Sequence, residues 1–421
     1  MTSLLSPRER MMRTNRWLWM GLAVVATLAI TRTLADTPDL TSSGTFGAAL
    51  RLGTPIFLAG LGGVYAERVG VVNIGLEGMM ILGTWFGAWA GWLWGPWTGL
   101  MVGVIAGAAG GLLHALATVT FNVDHIVSGV AINILAFGGM RFLSVVSYGA
   151  DTGGGATQSP PISDVIGKVS APVLSGGEIL GWTSPDWLGN LEEQRWFILS
   201  DLAGLVRGLT VEVSWAVVLA VALVPASWWF LWRTPLGLRM RSVGEHPVAA
   251  ESLGVNVYRM KYLGVMLSGA MAGLGGAMLV TEFARIYREG QTGGRGFIGL
   301  ASMIMGNWRP GGAAAAGGLF GFTFALELRD EPAVHALLLL IAIVGVGMGI
   351  WWGYRRRWIP AVWLVGTAAA ALLVFLSTDS IPREFVFIAP YVTTLVVMSL
   401  ASQHLRMPAA DGRPYRRGQQ L

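Results

Sequence analysis

Long apolar stretches, each bounded by charged or turn-forming residues, restrict this 421-residue chain more than any other feature. They run over 17–35, 45–64, 74–94, 97–119, 126–148, 211–232, 262–280, 311–328, 333–352, 358–377 and 385–403, and a shorter piece occupies 296–306. Each long stretch suffices, or nearly so, to carry a helix across a hydrocarbon core about 30 Å thick. Lipid offers no partner to a backbone N–H or C=O, so segments that cross it repeatedly fold as helices. The fold class expected is an all-α polytopic membrane protein with about 10–12 transmembrane helices, some of them broken. Composition agrees: 53% of residues are hydrophobic and 13% charged, far from the balance of a soluble domain. Cysteine is absent, which excludes disulfides, thiol chemistry and cysteine-ligated metals. The net charge of +5 does not point to nucleic acid, because the basic residues fall in short clusters beside the apolar runs.

Those clusters report orientation. Arg8, Arg10, Arg13 and Arg16 precede the first stretch; Arg233, Arg239 and Arg241 follow the sixth; Arg355, Arg356 and Arg357 form another group; Arg406, Arg413, Arg416 and Arg417 end the chain. By the positive-inside rule all are cytoplasmic, and parity then requires the piece at 296–306 to cross as part of a broken helix. The layout expected is a cytoplasmic tail at 1–16, a first transmembrane half at 17–148, an external loop at 149–210, a second half at 211–403 and a cytoplasmic tail at 404–421. The second half carries a cytoplasmic loop at 234–261 and a helical pair at 330–380. The first stretch reads as a retained helix, not a signal peptide, since its apolar run from Trp17 is long and no secreted domain follows. The loop at 149–210 is rich in Gly, Pro and acidic residues, and one amphipathic helix is expected near 191–207, with Leu191, Trp196, Leu199, Leu202 and Leu205 on a shared face.

Within the cytoplasmic loop, Pro247 to Leu253 is helix-forming and Gly254 supplies a stop. Pro247 suits a first turn, and the small Ala249 and Ala250 leave room for another protein to come close. On spacing alone this is either a docking helix or a solvated one.

Two glycine-punctuated strings, VNIGLEGMMILG at 72–83 and GFIGLASMIMG at 296–306, resemble each other when Ile74-Gly75-Leu76 is aligned with Ile298-Gly299-Leu300. They run in opposite directions in the expected topology, the pattern of an inverted repeat, and broken helices in matching positions point to a transport pathway. Chance similarity of two Gly- and Met-rich strings is the rival. Glu77, an acid inside an apolar stretch with Asn73 one turn before it, either lines that pathway or accepts backbone hydrogen bonds at a helix break. Ser128 and Asn133 either face a solute or join neighbouring helices. Met79, Phe297 and Met303 complete the candidate pathway, built from 72–83, 126–140 and 296–306, where methionine offers an adaptable surface or fills gaps. His114, Arg141, Glu282 and Glu327 lie near ends of stretches, where capping or snorkelling is the default. The nineteen tryptophans read as an interfacial belt.

Three ordered strings, ERVGVVNIGLEGM at 67–79, SVGEHPVAAESLGVNVYR at 242–259 and GRGFIGLA at 294–301, together resemble the permease subunits of bacterial ABC importers for nucleosides and simple sugars, the ribose-type permeases and especially their nucleoside branch. The resemblance covers 45–150 and 211–328, plus Ala389 to Thr394 in the last stretch. It implies a second permease chain, two ATP-binding subunits, an external substrate-binding lipoprotein and a place in the bacterial inner membrane. It also implies that the loop meets the ATPase, with Gly237, Arg241, Gly244, Glu245, His246, Pro247, Ala249, Ala250 and Gly254 as coupling positions. The pair at 330–380 departs from the family pattern.

No cofactor is expected on this chain; ATP and Mg belong to the partner ATPase. Gly167-Lys168 is followed by Val169 and lacks the glycine spacing of a phosphate loop, and the LSGGE string at 174–178 lies in the external loop with no nucleotide-binding domain around it. No zinc spacing or catalytic triad stands out, so the expectation is a transport subunit and not an enzyme. The function expected is alternating access driven by separate ATPase subunits; the alternative is an ion-coupled secondary transporter of a small polar solute, for which Glu77 is nearly the only candidate coupling acid.

Overall fold

Helices begin and end where the sequence breaks its apolar runs. The computed structural model describes residues 7–149, 153–179, 181–329, 331–378, 381 and 405–418. The first five helices are α1 (Pro7–Ala35), α2 (Ser43–Glu67), α3 (Leu76–Trp94), α4 (Pro96–Ala115) and α5 (His125–Ser147). Two short ones follow, α6 (Trp187–Glu193) and α7 (Leu199–Gly208), then α8 (Trp215–Arg233), α9 (Pro235–Glu245) and α10 (Pro247–Ser252). The remainder are α11 (Val257–Met278), α12 (Arg295–Met305), α13 (Pro310–Glu327), α14 (Glu331–Tyr354) and α15 (Trp358–Ser377). Sheet among the described residues is limited to two-residue strands. Single π turns close α4 at Leu116–Thr120 and α11 at Leu279–Phe283.

Seven of the described helical segments are long and apolar enough to cross a membrane. The chain is a multi-pass membrane protein. Glycines and one acid each keep α3 and α13 below that hydropathy, and the stretch expected at 385–403, with Ala389 to Thr394, lies outside the described residues.

The described fold divides into two units. One comprises residues 49–168, 213–321 and 391–421. Its centre is a seam of α3, α4 and α11 in which backbones touch directly. A Cβ added at Gly83 would strike the backbone of Gly273, and one added at Gly107 would strike Gly269 and Gly273. Such approach is open only to glycine, and it replaces the hydrophobic driving force that lipid does not supply between helices. Around the seam lie Leu76, Met79, Met80, Ala272 and Leu279, all buried.

The other unit comprises residues 1–48, 169–212 and 322–390. Here α14 and α15, the pair expected as an insertion, form a hairpin with Gly345 against Ala368 and Gly349 against Val365. Near the open end of the hairpin His335 stacks on Phe375 at 4.6 Å between ring centroids. In the region expected as a loop, the amphipathic helix foreseen over 191–207 is instead two helices, broken at Arg195 and Ile198, both at positive φ. In the second of them Ser200, Asp201, Ala203 and Gly204 are buried, whereas Leu199 is exposed.

Candidate functional site

The segment between α2 and α3 passes through the protein interior without regular structure, so its backbone groups need side-chain partners. They come from three helices. The Val72 N–H donates to His125 Nδ1 at 3.2 Å, and the Val72 carbonyl accepts from His114 Nε2 at 3.0 Å. His114 therefore carries its proton on Nε2, leaving Nδ1 to accept from the Ser128 hydroxyl at 2.9 Å. Asn73 donates from Nδ2 to Ser268 Oγ at 2.8 Å. Asn133 acts as a two-pronged clip: its Nδ2 donates to the Ile74 carbonyl at 3.1 Å and its Oδ1 accepts from the Gly78 N–H at 2.7 Å, satisfying an orphan donor in the first turn of α3.

Glu77 then joins the starts of two helices. It stands in the first turn of α3, and its carboxylate accepts from the N–H groups of Gly294 at 3.0 Å and Gly296 at 2.7 Å, which open α12. A carboxylate at a helix N-terminus opposes the positive end of the helix dipole and fills donors that nothing else reaches. A Cβ on Gly296 would lie 2.6 Å from the Glu77 Cα, so glycine sets this approach. Of the two roles open to Glu77, accepting backbone hydrogen bonds at a helix break is the one it fills here.

The sequence-derived pathway residues are thus together but spent inward. Asn73, Glu77, Ser128 and Asn133 pin the α3 start, Met79 and Met303 are fully buried filling, and Phe297 on α12 is half exposed. The aligned tripeptides differ in register: Gly75 caps α3, whereas Ile298 and Gly299 lie inside α12, whose cap is Gly294. Two further expectations are corrected. His114 is not a capping or snorkelling side chain but a fully buried clamp, and Trp85 leaves the aromatic belt, being buried with its Nε1 donating to Ser144 Oγ at 2.9 Å. The role of His125 was missed; its sequence signal, an imidazole one residue after the N-cap Asp124, gives no hint of Val72.

The second part of the site is the region foreseen as a loop, which is a helix pair. Thr234 caps α9 by accepting from the Gly237 N–H at 3.1 Å, and Gly254, at φ +80°, ends the turn after α10. Gly237 and Gly244 are packed against this chain's own backbone, and Ala250 is buried with Val243, Val257 and Tyr415. Exposed residues of the pair include His246, Ala249 and Leu253, the last 85% exposed. The close approach expected at Ala250 is therefore filled internally, and only Ala249 remains open.

The C-terminal residues lie on this pair. Ala410 donates its N–H to the Gly244 carbonyl at 2.9 Å, Ala409 to Glu245 Oε2 at 3.2 Å, and Arg417 meets Glu251 at 3.1 Å. A small cavity of about 70 Å³ separates Glu245–Val248 from Ala409 and Arg413–Arg416. Arg68, directly after α2, donates twice to the Trp308 carbonyl, at 3.0 and 2.8 Å, and lies 3.9 Å from Glu245. Burial lowers its guanidinium to about 10, with Glu245 opposing that and Arg241 and Arg309 adding to it; it stays charged at neutral pH. Asp411 is buried beside the Glu67 carboxyl. Burial raises Asp411 to about 6, while Glu67, the Gly412 N–H, Lys261 and Arg68 pull the other way.

With this geometry in hand, residues 46–346 match the family described as branched-chain amino acid transport system / permease component. The chain belongs to this permease family. Among relatives, it is 33% identical over 383 residues to the guanosine ABC transporter permease protein NupQ of Bacillus subtilis, covering 88% of this chain and 96% of that one. It is 32% identical over 374 residues to the nucleoside ABC transporter permease protein NupC of Lactococcus lactis, covering 86% and 93%. With the putative glucose ABC transporter permease protein TsgC13 of Haloferax volcanii it shares 30% over 302 residues, covering 70% and 80%. No solved structure matches the chain. As a member of this permease family it is a transport subunit and not an enzyme.

Proposed function

We propose that this permease carries nucleosides through the bacterial inner membrane, as one of two permease chains in an ATP-driven importer whose two ATPase subunits grip α9 and α10. The observation that carries the substrate class is the near full-length likeness to guanosine and nucleoside permeases. The arrangement of the site supports the coupling. A partner seated on Ala249 and Leu253 would push on α9, and Glu245 and Gly244 hand that push to Arg68 and the segment that begins α3. That segment is fastened to α12 through Glu77, so both helix starts move together. ATP and Mg are held by the partner ATPase, a lipoprotein receptor delivers the solute from outside, and both termini face the cytoplasm.

An ion-coupled mechanism would require an acid free to exchange its ion at mid-membrane, and Glu77 is committed to two backbone donors. The test is uptake of radiolabelled guanosine into vesicles holding the permease, its second permease chain, the ATPase subunits and the receptor. Uptake should require ATP and disappear in Glu245→Arg. Equal uptake under an ion gradient with the ATPase left out would overturn the reading.

A further inference from the structure

Helix α7 is turned inside out for a helix of a water-exposed loop. Its buried side carries the polar and small residues. Asp201, 1% exposed, accepts from Thr41 Oγ1 at 2.6 Å and from the Ile198 N–H at 3.1 Å, and stands 3.3 Å from Arg32. Gly204 and Gly208 admit the carbonyls of Thr41 and Ser43. Arg207 donates to Ser43 Oγ at 2.9 Å and pairs with Asp186 at 2.7 Å and Glu192 at 3.3 Å, and Glu192 in turn accepts the Ser43 N–H at 2.7 Å. The outward side carries Leu199, Val206 and Leu209 at helical spacing, with Trp196 and Phe197 just before them; Trp196, Phe197 and Leu199 are each more than half exposed.

This arrangement leaves the polar groups satisfied and the apolar ones without cover. We propose that the outward face of α7 lies on the lipid interface of the bilayer. What singles out lipid is where α7 is fastened: apart from Asp186, Glu192 and Ile198 beside it in the chain, the anchors on its polar side fall within residues 32–47, from the end of α1 to the first turn of α2, which starts a membrane span. The helix is thereby held at the depth where a span begins and meets the headgroups. Trp and Phe at that depth, beside leucine and valine, are the side chains that interfacial helices present to lipid. The inward pairing of Asp201 and Arg207 removes the polar groups that would hold such a helix in water.

The cysteine-free chain permits a direct test, since one introduced cysteine is the sole labelling site. A nitroxide is placed singly at Leu199→Cys, Val206→Cys and the exposed polar position Glu193→Cys of the full chain, reconstituted without partners in phosphatidylcholine–phosphatidylglycerol vesicles. Labels at 199 and 206 should collide with oxygen severalfold more, relative to a water-soluble nickel chelate, than the label at 193. Equal access of the nickel chelate to all three overturns the proposal. Shielding that arises only on adding a receptor protein overturns it too, and identifies the face as a protein-binding one. All three positions are exposed, so labelling leaves the packing intact; monodisperse elution in detergent checks this. Transport need not occur for the result to be read.

Discussion

The start of α3 and the pair α9–α10 are both glycine-punctuated interruptions of a membrane helix pattern, yet they spend their polar groups in opposite ways. At the α3 start, Glu77, Asn133, His114 and Ser128 are each committed to a named partner inside the protein. On α9–α10 Gly237, Gly244 and Ala250 are buried against the same chain, but His246, Ala249 and Leu253 face outward. One interruption is fixed and the other is presented. An irregular stretch within a membrane protein is thus not by itself a binding site; what matters is whether its polar groups are already matched.

The largest effect that tests this contrast is on stability. Glu77→Ala strands the Gly294 and Gly296 N–H groups and should cost about 2–6 kcal/mol, at about 1–3 kcal/mol for each buried donor. A thermal melt of the purified permease reads it. If this variant melts like the parent and loses only transport, Glu77 is a pathway residue and the contrast fails. Asn133→Ala, which leaves the Gly78 N–H and the Ile74 carbonyl without their partner, should cost about 2–4 kcal/mol in the same melt.

On the presented side, Leu253→Asp should leave the melt within about 0.5 kcal/mol of the parent while capture of the ATPase subunits falls at least about tenfold, the weight of about 1.4 kcal/mol. Undiminished capture would remove α10 from the docking surface. The smallest effect concerns the C-terminal residues on α9. The Asp411 carboxyl is raised to about 6 when docked against an ordinary value of 3.8, so protonation favours docking. That advantage is full below the ordinary value and is lost as pH rises through about 6. Between pH 7 and pH 5 docking should tighten about tenfold, seen as immobilisation of a nitroxide at Gly418→Cys, and Asp411→Asn should flatten the profile. A profile already flat in the parent would show that protonation of Asp411 does not hold the tail.

Local signals told most of what the sequence could tell. The apolar runs placed the seven described helices long and apolar enough to cross, Pro247 and Gly254 bracketed α10, and one acid in an apolar stretch marked Glu77. The partners of those residues were not legible, because they lie far along the chain: Gly78 meets Asn133 across 55 positions and Gly294 meets Glu77 across 217. Periodicity also misjudged α7. It ran one helix through the break at Arg195 and Ile198, and it gave no sign that Asp201, with Arg32 and Thr41, would turn the polar side inward. Nothing in the C-terminal sequence advertised Asp411 as the neighbour of Glu67.

The seam of Gly83, Gly107 and Gly273 has a mechanical consequence. Where side chains separate two helices, a shift on one side can be taken up by rotamer changes before the other feels it. Where backbone rests on backbone there is no such cushion, so α3, α4 and α11 form a stiff keel. A displacement entering at one end is passed from backbone to backbone, and the regular helical ladder is interrupted at the π turns of Leu116–Thr120 and Leu279–Phe283.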